Sequence, residues 1–116
     1  MKVIYAIQHN VTGKVYIGIT HDPKCRMQQH FIKLKDHTHY NSAMQEDCDR
    51  YGFDYSVFIL ETDVQVHEAY KERYYIETLH TDDPNIGYNG SDPKFQGHGR
   101  WRYVEGFPKL NKKGSE

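Results

Sequence analysis

The stretch that most constrains what this chain can fold into is VIYAIQHNVTGKVYIGIT, Val3 to Thr20. Two short runs rich in Val, Ile and Tyr, Lys2 to His9 and Lys14 to Thr20, flank Asn10-Val11-Thr12-Gly13. The Asn and Gly supply turn chemistry, so the pattern predicts a β-hairpin with a loop of about four residues. Each run also carries a tyrosine in nearly the same setting, Ile4-Tyr5 and Tyr16-Ile17. A hairpin accounts for the apolar runs. Read alone, it leaves the tyrosines as ordinary strand packing.

Beyond the hairpin, Asp22-Pro23 opens a helix, because aspartate accepts from the free N–H groups of a first turn and proline is preset for the first helical position. Met27, Phe31 and Leu34 form its apolar stripe, and Arg26, His30 and Lys33 run along one border of it. The polar loop Asp36-His37-Thr38-His39 leads to a second helix from about Ser42, capped by Asn41 and ended by Gly52. Its stripe is Met44, Cys48 and Tyr51. Asp54 to Thr62 reads as a third strand and Gln65 to His80 as one long helix, after which Pro84 and Gly87 enforce a turn. The order β-β-α-α-β-α predicts an α/β fold: a small sandwich with a three-stranded antiparallel or mixed sheet flanked by helices.

At 116 residues the chain has room for a single hydrophobic core. The pattern places the domain in residues 1–90 and leaves a tail, 91–116, without clear periodicity. No apolar run approaches the roughly 20 residues that cross a bilayer, and no signal-peptide core follows Lys2, so no membrane partner and an intracellular, cytoplasmic setting are expected. Cys25 and Cys48 have neither metal-type nor redox-type spacing and read as small buried thiols on amphipathic helices. Net charge is −1, but it is unevenly spread. Residues 91–116 hold six Lys/Arg against three Asp/Glu, whereas residues 1–90 hold nine against thirteen. The body is acidic and the tail basic.

Four groupings carry chemistry. On the last helix Glu72 falls among Val66, Ala69, Ile76 and Leu79, a core-facing carboxylate that needs either a buried ion-pair partner, such as Arg73 or Arg26, or a bound cation. Arg26 and His30 read either as a solvated helix border or as a pair able to hold a phosphate and move a proton near neutral pH. The eight histidines show no HExxH and no Cys/His finger spacing, which argues against a structural zinc site. The tail interleaves Arg100 and Arg102 with Phe95, Trp101 and Tyr103. Cations screen phosphates and aromatic faces stack on bases, so this composition suits nucleic acid as well as it suits a tail packed onto its own domain.

Taken in order, these pieces resemble a GIY-YIG nuclease domain. Val3-Ile4-Tyr5 and Tyr16-Ile17-Gly18 carry the two-part motif, Arg26 and His30 follow in CRMQQH, His39 lies in the next loop, Glu72 sits in KERYYIETL, and Asn89 closes Gly87-Tyr88-Asn89. The resemblance covers residues 3–90 and is greatest to the catalytic domains of phage and group I intron homing endonucleases. Val3 stands where the usual motif has its first glycine; that glycine is backbone at a strand start, so the fold is expected to survive the change.

The resemblance implies a role for each motif residue. Tyr5 activates or directs the attacking water, and Tyr16 hydrogen-bonds the nucleophile or the scissile phosphate. Arg26 binds that phosphate and stabilises the transition state, and His30 contacts phosphate or relays a proton. Asn89 fixes the loop beside the site or touches the backbone. Glu72 is the protein ligand of a single divalent ion, Mg2+, for which Mn2+ can substitute. Among substrate-binding candidates are Lys14, His39 and, in the tail, Arg100, Trp101 and Arg102. The expected activity is metal-dependent hydrolysis of DNA phosphodiester bonds, one strand nicked per active site, in a protein of phage or mobile-element type acting in a bacterial host cell. A double-strand break then needs a homodimer on DNA or successive nicks, and target choice rests on the core, the tail or a targeting partner. The competing class is a catalytically weak module of the same fold that holds DNA or protein.

Overall fold

The hairpin forms where the sequence pattern puts it. In the computed structural model, which describes residues 1–91, strands β1 (Lys2–His9) and β2 (Val15–Thr20) pair antiparallel, with Tyr5 opposite Gly18 and Ile7 opposite Tyr16. His9 anchors the turn. Its buried Nδ1 accepts the N–H groups of Val11 and Thr12 at 3.1 and 3.3 Å, and its Nε2 lies 3.0 Å from the Gly52 carbonyl. Strand β3 (Tyr55–Val64) adds to the other side of β1, giving a sheet of order β2-β1-β3 that is antiparallel throughout. Val3 pairs with Thr20 in ordinary extended backbone, so a side chain in place of the motif glycine is accommodated. It falls within an irregularity of the β1–β3 register between Lys2 and Tyr5.

Alternation along the strands splits the core into two faces. Ile4 and Ala6 of β1 and Val15 and Ile17 of β2 pack with Val64, Ile76 and Leu79 on one face. Tyr5, Ile7 and Tyr16 pack with Leu34, Met44, Cys48 and Tyr88 on the other. Helices α1 (Pro23–Lys35) and α2 (Ser42–Tyr51) cover the tyrosine face, and α3 (Tyr70–Leu79) covers the opposite one. The two helix starts are capped as their residues dictate: Asp22 Oδ1 accepts from Cys25 N–H at 3.1 Å, and Asn41 Oδ1 from Met44 N–H at 3.0 Å.

Four expectations change. The strand runs on to Val64, and the long helix from Gln65 is two pieces: a 3₁₀ turn, Val66–Glu68, then α3 from Tyr70. Glu68 Oε1 accepts the Gln65 N–H at 3.1 Å and so tightens the turn. Three residues per turn do not keep the 100° projection, so Val66 points to solvent at 84% exposure and Ala69 is exposed. On α2, Tyr51 is exposed rather than part of the buried stripe. Of the two cysteines, Cys48 is buried but Cys25 is exposed, because it lies in the first turn of α1 on the side away from Leu34.

β2 would be an open edge, and the segment after α3 closes it. Val15 N–H donates to Ile86 O at 3.3 Å, and Tyr88 N–H donates to Val15 O at 2.9 Å, a short parallel bridge centred on Gly87. A Cβ at Gly87 would collide with the carbonyls of both Thr81 and Val15, so the close approach requires glycine. Asn89 extends the zipper with its side chain: Oδ1 accepts Ile17 N–H and Nδ2 donates to Ile17 O, both at 2.9 Å. No helix among the described residues is long and apolar enough to cross a membrane.

Candidate active site

The register that sets Tyr5 against Gly18 and Tyr16 against Ile7 makes the two tyrosines diagonal neighbours on one face, with ring centroids 6.3 Å apart. Gly18 is what makes room. The Tyr5 ring lies across it, and a Cβ there would overlap the Tyr5 hydroxyl end. The second motif glycine is therefore a requirement of tyrosine placement.

Helix α1 lays His30 over this pair. His30 is 2% exposed and meets both rings edge-on, at centroid distances of 5.8 Å to Tyr5 and 5.4 Å to Tyr16. Its Nε2 is 2.9 Å from the Tyr5 hydroxyl, and its Nδ1 is 2.7 Å from Nε2 of His39. The α1–α2 loop returns His39 end-on to His30, the two rings nearly coplanar with centroids 5.0 Å apart, and Tyr40 stacks on His39 at 4.5 Å. Tyr40 reaches back to close the cluster, its hydroxyl 2.9 Å from that of Tyr16. Gln45 pins the loop: it accepts His39 N–H at 2.9 Å and donates to Leu34 O at 3.1 Å.

Burial, reinforced by the neighbouring His39 and Arg26, pushes His30 down to about 3, so it is neutral near pH 7. Arg26 stands one helical turn before it, half-buried, and its guanidinium makes no hydrogen bond or ion pair among the described residues. The Arg26–Glu72 ion pair open to the sequence is thus not formed. A guanidinium uncommitted to any described protein group, one helical turn from the imidazole of a phenol–imidazole pair, is suited to an anion.

The structure therefore brings Tyr5, Tyr16, His30 and His39 together, with Arg26 alongside. Asn89 is fully buried and grips the edge of β2 at Ile17, between the two motif residues Tyr16 and Gly18. Glu72 comes from α3, which packs on the opposite face of the sheet; it is 8% exposed and one turn from Ile76, on the core side as its spacing indicated. Arg73, the other cation considered for it, donates to Glu77 at 2.8 Å. Lys14 lies at the turn end of the hairpin, in a surface cavity shared with Glu46, Asp47 and Arg50. Arg100, Trp101 and Arg102 lie outside the described residues.

No three His, Cys, Asp or Glu side chains cluster with metal-site geometry among the described residues. A divalent ion held by Glu72 would take few protein ligands among the described residues. One hard carboxylate oxygen from Glu72 fits Mg2+, which commonly keeps water and substrate phosphate in its remaining positions, and fits zinc poorly.

Sequence reasoning missed two contributors. Tyr40, at the end of HTHY, carries no periodic signal and is seen only through its contact with Tyr16. Asn41 was read only as a cap, yet its backbone N–H also reaches Nδ1 of His39 at 3.0 Å.

Comparison with known proteins agrees with this fold. The family model of the GIY-YIG catalytic domain matches residues 1–89. Among solved structures, an alanine-for-glutamate mutant of the catalytic domain of intron endonuclease I-TevI is 27% identical, with a TM-score of 0.68 over 79% of this chain and 96% of that one. The catalytic domain of homing endonuclease I-TevI is 26% identical, with a TM-score of 0.66 over 76% and 96%. No curated protein sequence matches the chain.

Proposed function

The chain belongs to the GIY-YIG nuclease family, and from that premise we propose that it is a divalent-metal-dependent DNA endonuclease that nicks one strand per active site. One observation carries the reading: the Tyr5 hydroxyl is hydrogen-bonded to a buried neutral His30, and one helical turn before that histidine stands Arg26, whose charge His30 feels and whose guanidinium has no protein partner among the described residues. A phenol titrates near pH 10, so activating water requires donors that favour the phenolate. His30 supplies one at the oxygen, and Arg26 contributes positive charge to the same pocket.

Tyr5 orients and deprotonates the attacking water. Tyr16, held by Tyr40, orients the nucleophile or the scissile phosphate. Arg26 binds the phosphate and follows its charge into the transition state. Asn89 keeps Ile17, and with it the Tyr16–Gly18 segment, in register. Glu72 would hold the Mg2+ or Mn2+ ion, which supplies charge neutralisation at the phosphate and the leaving oxygen. One active site per chain means that a double-strand break needs a second copy or a second nick. The basic, aromatic segment 91–116 suits DNA contact outside the site. Likeness to intron and homing endonuclease domains supports a phage or mobile-element source acting inside a bacterial cell.

Relaxation of supercoiled plasmid tests the reading. Nicking should require Mg2+ or Mn2+, stop in EDTA, and vanish in Glu72→Ala with DNA affinity kept. Plasmid bound by the protein but left intact at every metal concentration would assign the chain to DNA binding without cleavage.

A further inference from the structure

We infer that His39 is a positioning residue: anchored by the backbone N–H of Asn41, it fixes His30 in the Nε2–H form, so that His30 always donates to the Tyr5 oxygen. The functional consequence rests on the nuclease reading; the tautomer assignment does not.

The argument starts from a group that can only donate. Asn41 N–H lies 3.0 Å from Nδ1 of His39, so that nitrogen bears a lone pair and the His39 proton must be on Nε2. His39 Nε2–H, 2.7 Å from Nδ1 of His30, then donates to it and leaves that nitrogen bare. The His30 proton is therefore on Nε2, 2.9 Å from the Tyr5 oxygen, which accepts. One peptide N–H thus sets the direction of three successive hydrogen bonds. His30 has no lone pair facing Tyr5, so it does not take the phenol's proton. It instead steadies the oxygen as negative charge develops, and the Tyr5 O–H is directed elsewhere.

The anchor is rigid. Asn41 is fully buried, caps α2 through Met44 N–H, and donates from Nδ2 to Tyr88 O at 2.8 Å. His39 N–H is held by Gln45, and the His39 ring is confined between His30 and Tyr40.

The test is long-range proton–nitrogen correlation NMR on the full chain with labelled histidine, assigning the two rings by the signals lost in His30→Gln and His39→Gln. Both should be neutral with the proton on Nε2; a proton on Nδ1 of either overturns the assignment. His39→Gln, which keeps an N–H donor, should preserve the His30 tautomer and most of the cleavage rate. His39→Leu should leave His30 in mixed tautomers and lower kcat by about 10–100-fold at unchanged KM. Equal loss in the two variants, or none in His39→Leu, refutes the positioning role. Wild-type protein that cuts no DNA with metal would sink the nuclease reading alone, since the spectra decide the tautomer without turnover. If His39→Leu fails to fold, the wild-type spectrum still decides.

Discussion

Replacing Gly18 with alanine should disable the site from beneath. A Cβ at Gly18 would fall on the hydroxyl end of the Tyr5 ring, and within 2.9 Å of Cε2. Carbon atoms rest about 3.5–4.0 Å apart, so the ring must shift on the order of 1 Å. Tyr5 is 1% exposed and already 2.9 Å from His30, so a shift of that size stretches or bends its hydrogen bond beyond useful geometry. Overpacking of this kind costs about 1–3 kcal/mol, which for a small domain lowers Tm by roughly 4–8 °C per kcal/mol. The catalytic loss should be larger, about 100-fold, because a 1 Å misplacement of a reacting group costs that much. Thermal unfolding and single-turnover nicking of Gly18→Ala read the two effects. Pairing it with Tyr5→Ala should recover part of the stability and none of the activity, a non-additivity expected of residues in contact. A Gly18→Ala protein that melts and nicks like wild type would refute the reasoning.

Two further outcomes follow from the same geometry. His30 is held at about 3 against an ordinary 6.5, so as pH falls the unfolded chain takes up its proton first; this contribution is complete above 6.5 and is lost between 6.5 and 3. Urea unfolding across that window should show wild-type stability falling by up to about 1.4 kcal/mol per pH unit more than that of His30→Gln, and parallel profiles would contradict this. Asn89→Ala strips both backbone groups of Ile17 of their partners and should cost on the order of 3 kcal/mol, with faster hydrogen exchange at the Ile17 amide; unchanged protection there would remove the clamp.

What could be read from the sequence was whatever local chemistry decides. The hairpin, both capped helices and the core-facing position of Glu72 follow from turn residues, capping residues and periodicity. The register between strands did not, and with it went the reason for Gly18, which depends on which residue lies opposite Tyr5. The break at Gln65 was hidden because one side-chain contact, from Glu68, replaces an α-turn with a 3₁₀ turn within a run that still looks helical. The site shows the same division. Residue types and order pointed to Tyr5, Tyr16, Arg26, His30, His39, Glu72 and Asn89. That Asn89 works by mimicking a neighbouring strand, and that Tyr40 joins the cluster, are facts of long-range contact.

Tyr5→Phe tests the account most directly, because it keeps the buried ring and removes one oxygen. Single-turnover nicking of supercoiled plasmid in Mg2+ should slow by at least about 100-fold, the range of a lost acid–base group, while the folded state loses only about 1 kcal/mol from the hydrogen bond to His30. Cleavage by Tyr5→Phe at the wild-type rate would contradict it, and would place the chemistry away from the hairpin tyrosine.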